Sequence, residues 1–503
     1  MRSKSTYTVA LFLIILGSGL FICSGFGQRR PTTKTVELNP CDVSGTQPDT
    51  TVKVLCGGYE VYENRATKSG RKISLKIVVF PATGPGKNPD PLFYIPGGPG
   101  SSSTEDAPYV AEDLAHVREH RDLVFVDQRG TGGSNPLNCT FFDAADPQTF
   151  LGHWNPPEQV RRCRTELETK ADLRLYTTTI AMDDLDDVRK ALGYDRINII
   201  GGSYGTRATQ EYVRNRAAHV RSVILHGVSL TGQLMPRDFP QHTERAIDGV
   251  IAECLANEAC RGSFPDLKTD KKTVLGRLIA GPMDVDINFP EDSSTMRHVR
   301  LSRDLAAEAV RYMLYQPSGA SRLPLFLHEA ATGNFRPLAQ AAIFYRQNLV
   351  GTGATGLYLS VTCAEDLPWI APGVGERNAA GTFLGDYRLQ QQRQACAEWP
   401  RGVISTNYGS PVRSAIPALI MTGQWDPVTP PLYGEMAARN FPNSLNIVVP
   451  SGGHGFDGLE NPDCISNLIA DFVGRGSPKG VDAACVKTMH RSGFQLKLDK
   501  PVK

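Results

Sequence analysis

The stretch that most constrains this chain is Ile197-Asn198-Ile199-Ile200-Gly201-Gly202-Ser203-Tyr204-Gly205-Thr206. An apolar run breaks at G-x-S-x-G, and the residues after it can be helical through Ala218. A serine held between glycines at a strand-to-helix junction is the pattern of a nucleophile elbow. The turn is so tight that side chains at Gly201 or Gly205 are expected to collide with the adjoining strand and helix, and Ser203 is expected to adopt strained backbone angles. The helix after it aims its first amides at the point where an oxyanion would form.

The elbow needs a sheet around it, and the flanking sequence supplies one. Short apolar runs at 92–95, 123–126, 222–225, 418–423 and 446–449 alternate with helical patterns. The clearest helix is Ile180 to Leu192, with Met182, Leu185, Val188 and Leu192 on one face. It has Asp183 and Asp184 near its start, Arg189 and Lys190 near its end and Gly193 as a stop. Apolar strands alternating with helices imply a doubly wound, mostly parallel α/β sheet covered on both faces. Upstream, Val52 to Leu55, Tyr59 to Tyr62 and Ile73 to Phe80 read as an antiparallel edge, broken at Gly57-Gly58 and at Lys68-Ser69-Gly70. Thr32 to Pro40 reads as a linker. Between about 230 and 410 the rhythm lapses into helical stretches (244–256, 302–315, 336–348, 382–399), the pattern of a mainly helical cap inserted into the sheet domain. The expected organisation is therefore a signal peptide over 1–27, a core over 28–229, a cap over 230–410 and the rest of the core over 411–503.

Arg2 and Lys4 precede a charge-free run from Ser5 to Gln28 with small residues at its end, the layout of a secretory signal peptide. An uncleaved anchor and a lipid attached at Cys23 are the competing readings. Eleven cysteines less Cys23 leave ten, spaced as neighbours: Cys41/Cys56, Cys139/Cys163, Cys254/Cys260, Cys363/Cys396 and Cys464/Cys485. Neighbour pairing in an oxidising compartment is the simplest arrangement, although spacing alone does not dictate connectivity. The net charge of +2 gives no reason to expect nucleic acid as a partner. No C-x-x-C or H-E-x-x-H spacing points to a metal, and the chemistry expected here requires no cofactor.

A serine hydroxyl becomes nucleophilic when a base takes its proton and a third group orients that base. In this architecture the order along the chain is serine, acid, histidine. Asp426 follows the run 418–423 and His454 follows the run 446–449, so Ser203, Asp426 and His454 are the candidate triad. His226 also follows a strand but precedes the acid. Backbone amides of Tyr204 and of Gly97 or Gly98, in the turn after 92–95, are the candidate oxyanion donors.

Pro96-Gly97-Gly98-Pro99-Gly100, the segment Asp127 to Ser134, Gly201 to Thr206, Gly423-x-x-Asp426-x-x-Thr429-Pro430 and Gly453-His454-Gly455 together resemble the prolyl and tripeptidyl aminopeptidase family of α/β-hydrolases. The likeness runs from about residue 40 to 485, and relatives often carry histidine where this chain has Pro96. It implies a secreted serine aminopeptidase that removes a single residue or a tripeptide from free peptide N-termini, with a cap limiting access. An esterase or lipase on the same scaffold is the first alternative, and a non-catalytic binding protein the second. Asp127 and Arg129 are expected to form a buried ion pair holding their turn, and Thr429 to support the Asp426 loop. An exopeptidase must also receive the substrate's ammonium group, for which Glu365 and Asp366 are the candidates, stiffened by a bridge at Cys363. The substrate is expected to be a peptide, with a membrane as partner only if the N-terminal run is retained.

Overall fold

The computed structural model of the chain describes residues 35–290 and 294–498. The signal-peptide segment, with Cys23, lies outside them. Nine strands form one sheet. The first seven are β1 (Asn39–Ser44), β2 (Thr51–Tyr62), β3 (Lys72–Phe80), β4 (Leu92–Ile95), β5 (Leu123–Val126), β6 (Ile197–Gly202) and β7 (Val220–His226). After a two-stranded hairpin of β8 (Met283–Asn288) and β9 (Met296–Leu301), the sheet resumes with β10 (Ala418–Gly423) and β11 (Ser444–Val449). The order is β1-β2-β3-β5-β4-β6-β7-β10-β11. The β1–β2, β2–β3 and β3–β5 pairings are antiparallel, and every pairing from β5 to β11 is parallel.

Side-chain alternation decides which face each residue serves. Ile77 and Val79 of β3 enter one apolar cluster, with Met182, Leu185 and Val188 of the helix Thr178–Ala191 and Ala208 and Tyr212 of the helix Tyr204–Arg216. Val78 and Phe80 point the other way, to a cluster with Ala107 of the helix Ser103–Asp113 and Leu468 and Phe472 of the helix Asp463–Arg475. The expected doubly wound sheet is therefore present, and the parallel strands are buried on both faces as such sheets require.

The edge differs from expectation in two places. β1 begins at Asn39, inside the segment read as a linker. β2 runs unbroken through Gly57 and Gly58. These glycines serve close approach rather than a break: a Cβ on Gly57 would lie 2.7 Å from the Glu37 carbonyl oxygen, and one on Gly58 2.9 Å from Ser74 Oγ. Neighbouring cysteines pair in all five expected bridges. Such a framework belongs to an oxidising, extracytoplasmic environment. Among the described residues no helix is long and apolar enough to cross a membrane.

The insertion is mainly helical, as expected, but it includes the β8–β9 hairpin and it is not one unit of packing. Apolar residues between 239 and 343 form a second cluster together with Phe150, Leu151, Phe383, Leu384, Tyr387 and Val428, whereas Leu357, Leu359, Val361, Cys363, Leu389 and Trp399 join the cluster under the sheet. The later part of the stretch read as cap is thus divided between that cluster and the core that supports the elbow.

Candidate active site

Ser203 sits between β6 and the helix Tyr204–Arg216 with φ 53° and ψ −121°, outside the regions L-residues favour. Steric contact explains both flanking glycines. A Cβ on Gly201 would lie 2.5 Å from the Gly205 carbonyl oxygen, and one on Gly205 would lie 2.1 Å from that of Ile95. Gly202, by contrast, faces open space. The Ser203 amide donates to the His226 carbonyl at the end of β7 (2.9 Å), which pins the elbow to its neighbouring strand.

Tyr204 opens the helix, so its N–H has no acceptor within it. Across from the elbow, the turn after β4 brings Gly97 close: a Cβ there would lie 3.1 Å from Ser203 Cβ and 3.7 Å from its Oγ. Gly98 follows with φ +105°, a conformation glycine adopts without cost. The Gly100 carbonyl accepts from the Ala354 amide (2.9 Å), so the turn is braced from the far side of the insertion. Gly97 therefore faces Ser203, and Tyr204 follows it directly at the start of the helix.

Asp426 and His454 leave the ends of β10 and β11. These strands are parallel neighbours, so the loops leaving their C-terminal ends start side by side. His454 Nδ1 lies 2.8 Å from Asp426 Oδ2. Asp426 is fully buried, and its Oδ1 accepts from the amides of Val428 (2.8 Å) and Thr429 (2.7 Å). Thr429 Oγ1 donates to Oδ2 (2.6 Å) and lies 2.9 Å from His454 Nδ1. Burial alone would raise the Asp426 pKa. The attraction and hydrogen bond of His454 and the Thr429 donors outweigh it and hold the carboxyl at about 2. Gly227, just past β7, passes under the imidazole, where a Cβ would lie 3.1 Å from His454 Cε1. The ends of β6, β7, β10 and β11 thus gather Ser203, Asp426 and His454 on one edge of the sheet. His226 is no rival base. Burial and the adjacent His454 push its pKa down to about 4, and its ring stacks on Phe456 with centroids 4.5 Å apart.

Two expectations need correction. The candidates for the substrate amine, Glu365 and Asp366, are buried and engaged by the chain's own groups, Asp366 Oδ2 alone of their four oxygens lacking a partner. Glu365 Oε1 accepts from the Thr178 amide (2.7 Å), and Oε2 accepts from Thr178 Oγ1 (2.7 Å) and from the Tyr408 hydroxyl. Thr178 Oγ1 in turn meets the Tyr204 hydroxyl (2.7 Å), so Glu365 braces the elbow helix from below. Burial pushes its pKa up to about 7. Asp366 is fully buried against Arg207 of the elbow helix (2.8 Å). The other correction concerns Asp127 and Arg129, which are both buried but not paired. Asp127 accepts from Ser102 Oγ, from the Thr104 amide and hydroxyl and from the Gly133 amide. Arg129 forks onto Asp184 instead (2.6 and 3.0 Å). Each serves the turn through a different partner.

Cap residues that no local motif signals also reach the site. Tyr315 meets the His454 ring edge-on, with centroids 4.8 Å apart, and its carbonyl accepts from the Gly455 amide (2.7 Å). Glu253 ties both loops together. Its Oε1 accepts from Trp425 Nε1 (2.5 Å) and Ser451 Oγ (3.0 Å), and its Oε2 from Arg491 (2.8 Å). Covariation is the signal that could have flagged them, because Glu253 is an ordinary residue of the helix Phe239–Ala256 and Tyr315 one of the turn after the helix Arg303–Met313.

Residues 90–262 match the family model for the alpha/beta hydrolase fold, and residues 381–485 that for TAP-like protein. The chain is 26% identical to serine protease Hip1 of Mycobacterium tuberculosis over 488 residues, covering 90% of this chain and 91% of that protein. It is 28% identical to tripeptidyl aminopeptidase of Streptomyces coelicolor over 473 residues (86% and 83% covered). It is also 28% identical to carboxylesterase B of Mycobacterium tuberculosis over 468 residues (86% of each). Elbow, sheet order and both family matches agree: the chain is a serine hydrolase of the α/β-hydrolase fold, similar to the prolyl/tripeptidyl aminopeptidase family.

Proposed function

We propose that the protein is an exported serine aminopeptidase that releases a single residue or a tripeptide from free peptide N-termini, with Ser203, His454 and Asp426 as nucleophile, base and orienting acid. The observation that carries this reading is the 2.8 Å imidazole–carboxylate contact on the same sheet edge as a strained serine elbow. Asp426 holds Nδ1 of His454 in its protonated form, which makes Nε2 the proton acceptor. Ser203 Oγ attacks the scissile carbonyl while Nε2 takes its proton. The Tyr204 amide and that of Gly97 or Gly98 donate to the oxyanion. His454 then returns the proton to the leaving amine, giving an acyl-enzyme and a shortened peptide. Water activated by the same imidazole hydrolyses the ester. Removing one oxyanion donor in such sites costs about 10²–10³-fold in rate. The names of the relatives, a serine protease and a tripeptidyl aminopeptidase, favour peptides. Five disulfides and the apolar N-terminal run favour export.

The carboxylesterase relative supports a second reading, an esterase on the same scaffold. Comparing free with N-acetylated peptide anilides and a short acyl ester separates the two. The aminopeptidase cleaves the free anilides and rejects the acetylated ones. Efficient ester cleavage with no peptide turnover overturns the proposal in favour of the esterase. Failure of Ser203 to react with a fluorophosphonate probe removes both.

A further inference from the structure

The insertion contains a buried cation that forms no ion pair among the described residues. Arg346 is 2% exposed. Its Nη2 donates weakly to the His153 carbonyl (3.4 Å), while Nε and Nη1 have no partner. Among the described residues no carboxylate lies within ion-pair distance of it. Its guanidinium lies against Phe142 and Trp154, 4.5 and 4.2 Å from the ring centroids. The same indole carries a second guanidinium, Arg388, at 4.4 Å. The one carboxylate hydrogen-bonded in this cluster, Glu308, is engaged by Arg311 (2.6 and 2.9 Å) and stands 3.7 Å from Arg388. Three guanidiniums therefore share one carboxylate in a buried cluster. A buried charge without a counter-charge costs several kcal/mol, so such groups are ordinarily paired.

The cluster is continuous with the catalytic histidine. Trp154 stacks with Tyr312 (6.2 Å between centroids), Tyr312 meets Tyr315 (4.9 Å), and Tyr315 meets His454 (4.8 Å). A run of aromatic rings thus connects the Arg346 cluster to the reacting centre.

We propose that Arg346 is the subsite cation for a carboxylate on the peptide substrate, supplied by an acidic side chain or by a free C-terminus. This rests on the aminopeptidase reading. Guanidinium–carboxylate pairing supplies the missing counter-charge and favours substrates that carry it. The cationic excess would also disfavour lysine or arginine at the same position.

The test uses the mature full-length enzyme. Glu is placed in turn at each position of a tripeptidyl anilide and compared with Gln. A neutral hexapeptide is compared as free acid and as amide. A side-chain subsite gives kcat/KM at least about tenfold higher for Glu at one position, equivalent to one charge-assisted pairing of about 1.4 kcal/mol. A C-terminal subsite gives that ratio for free acid over amide. Arg346→Met brings the ratio within about twofold, mainly through KM, and Arg346→Lys restores part of it. Ratios near one in the wild type for every pair overturn the subsite while leaving the aminopeptidase standing. So does a ratio that persists in a folded Arg346→Met protein. If that variant does not fold, the wild-type ratios and competition by glutarate decide, and glutarate without effect on an acidic substrate counts against the proposal. Turnover of no peptide at all removes the aminopeptidase and the subsite together.

Discussion

Glu253 offers a direct test of whether the insertion aligns the catalytic loops. It belongs to the helix Phe239–Ala256, yet it holds Trp425, beside Asp426, and Ser451, three residues before His454. It also neutralises Arg491, whose side chain is 4% exposed. Replacing it by alanine deletes three hydrogen bonds to a charged acceptor, each worth about 1.5–3 kcal/mol where buried. Glu253 is about a quarter exposed, which lowers that contribution. Stranding Arg491 adds a penalty of the kind that makes breaking a buried pair cost about 3–5 kcal/mol. We therefore expect Glu253→Ala to destabilise by about 3 kcal/mol and to lower kcat by about 10–100-fold, since a displacement of about 1 Å at a reacting group can cost 10²-fold. The double variant Glu253→Ala/Arg491→Met removes the stranded charge. It should recover stability without recovering kcat, because the two loops still lack their tie. Urea unfolding and steady-state kinetics on a peptide anilide measure the two quantities. A single variant with wild-type kcat, or a double variant that regains it, refutes the reasoning.

Other substitutions probe the elbow and its support. Gly205→Ala sets a methyl 2.1 Å from the Ile95 carbonyl oxygen and should prevent accumulation of folded protein, read from soluble yield and circular dichroism. Ser203→Gly should abolish fluorophosphonate labelling yet raise stability by about 1 kcal/mol, because relief of a conformation costing about 1–3 kcal/mol exceeds the added freedom of the unfolded chain. Glu365 has a folded-state pKa of about 7, above the ordinary 4.5, so the folded protein binds the extra proton. Its contribution is fully present below about pH 4.5 and is lost as pH rises through 7, so urea midpoints of the wild type should show a decline across that window that Glu365→Gln lacks. Asp426 has the opposite sign: with its pKa depressed to about 2 from 3.8, the stability it contributes persists above pH 3.8 and disappears as pH falls through 2, a loss that Asp426→Asn should not show.

Much of this protein was legible without coordinates, for local reasons. Strand alternation, the steric demand of Gly201 and Gly205 and the position of Asp426 and His454 after successive apolar runs are short-range patterns written in adjacent residues. They determine the sheet, the elbow and the expected triad. Cysteine spacing likewise anticipated the bridges, because each pair closes a short loop. What needed the tertiary structure was the partner of every buried charge. Asp127 and Arg129 stand two residues apart yet bind different segments, and Glu365 turns under the elbow rather than into a substrate site. Arg346 looks like any helix arginine until Trp154 and Arg388 close around it without a carboxylate. Pairing of buried charges is settled by groups brought together from distant parts of the chain, and sequence spacing carries no record of that proximity.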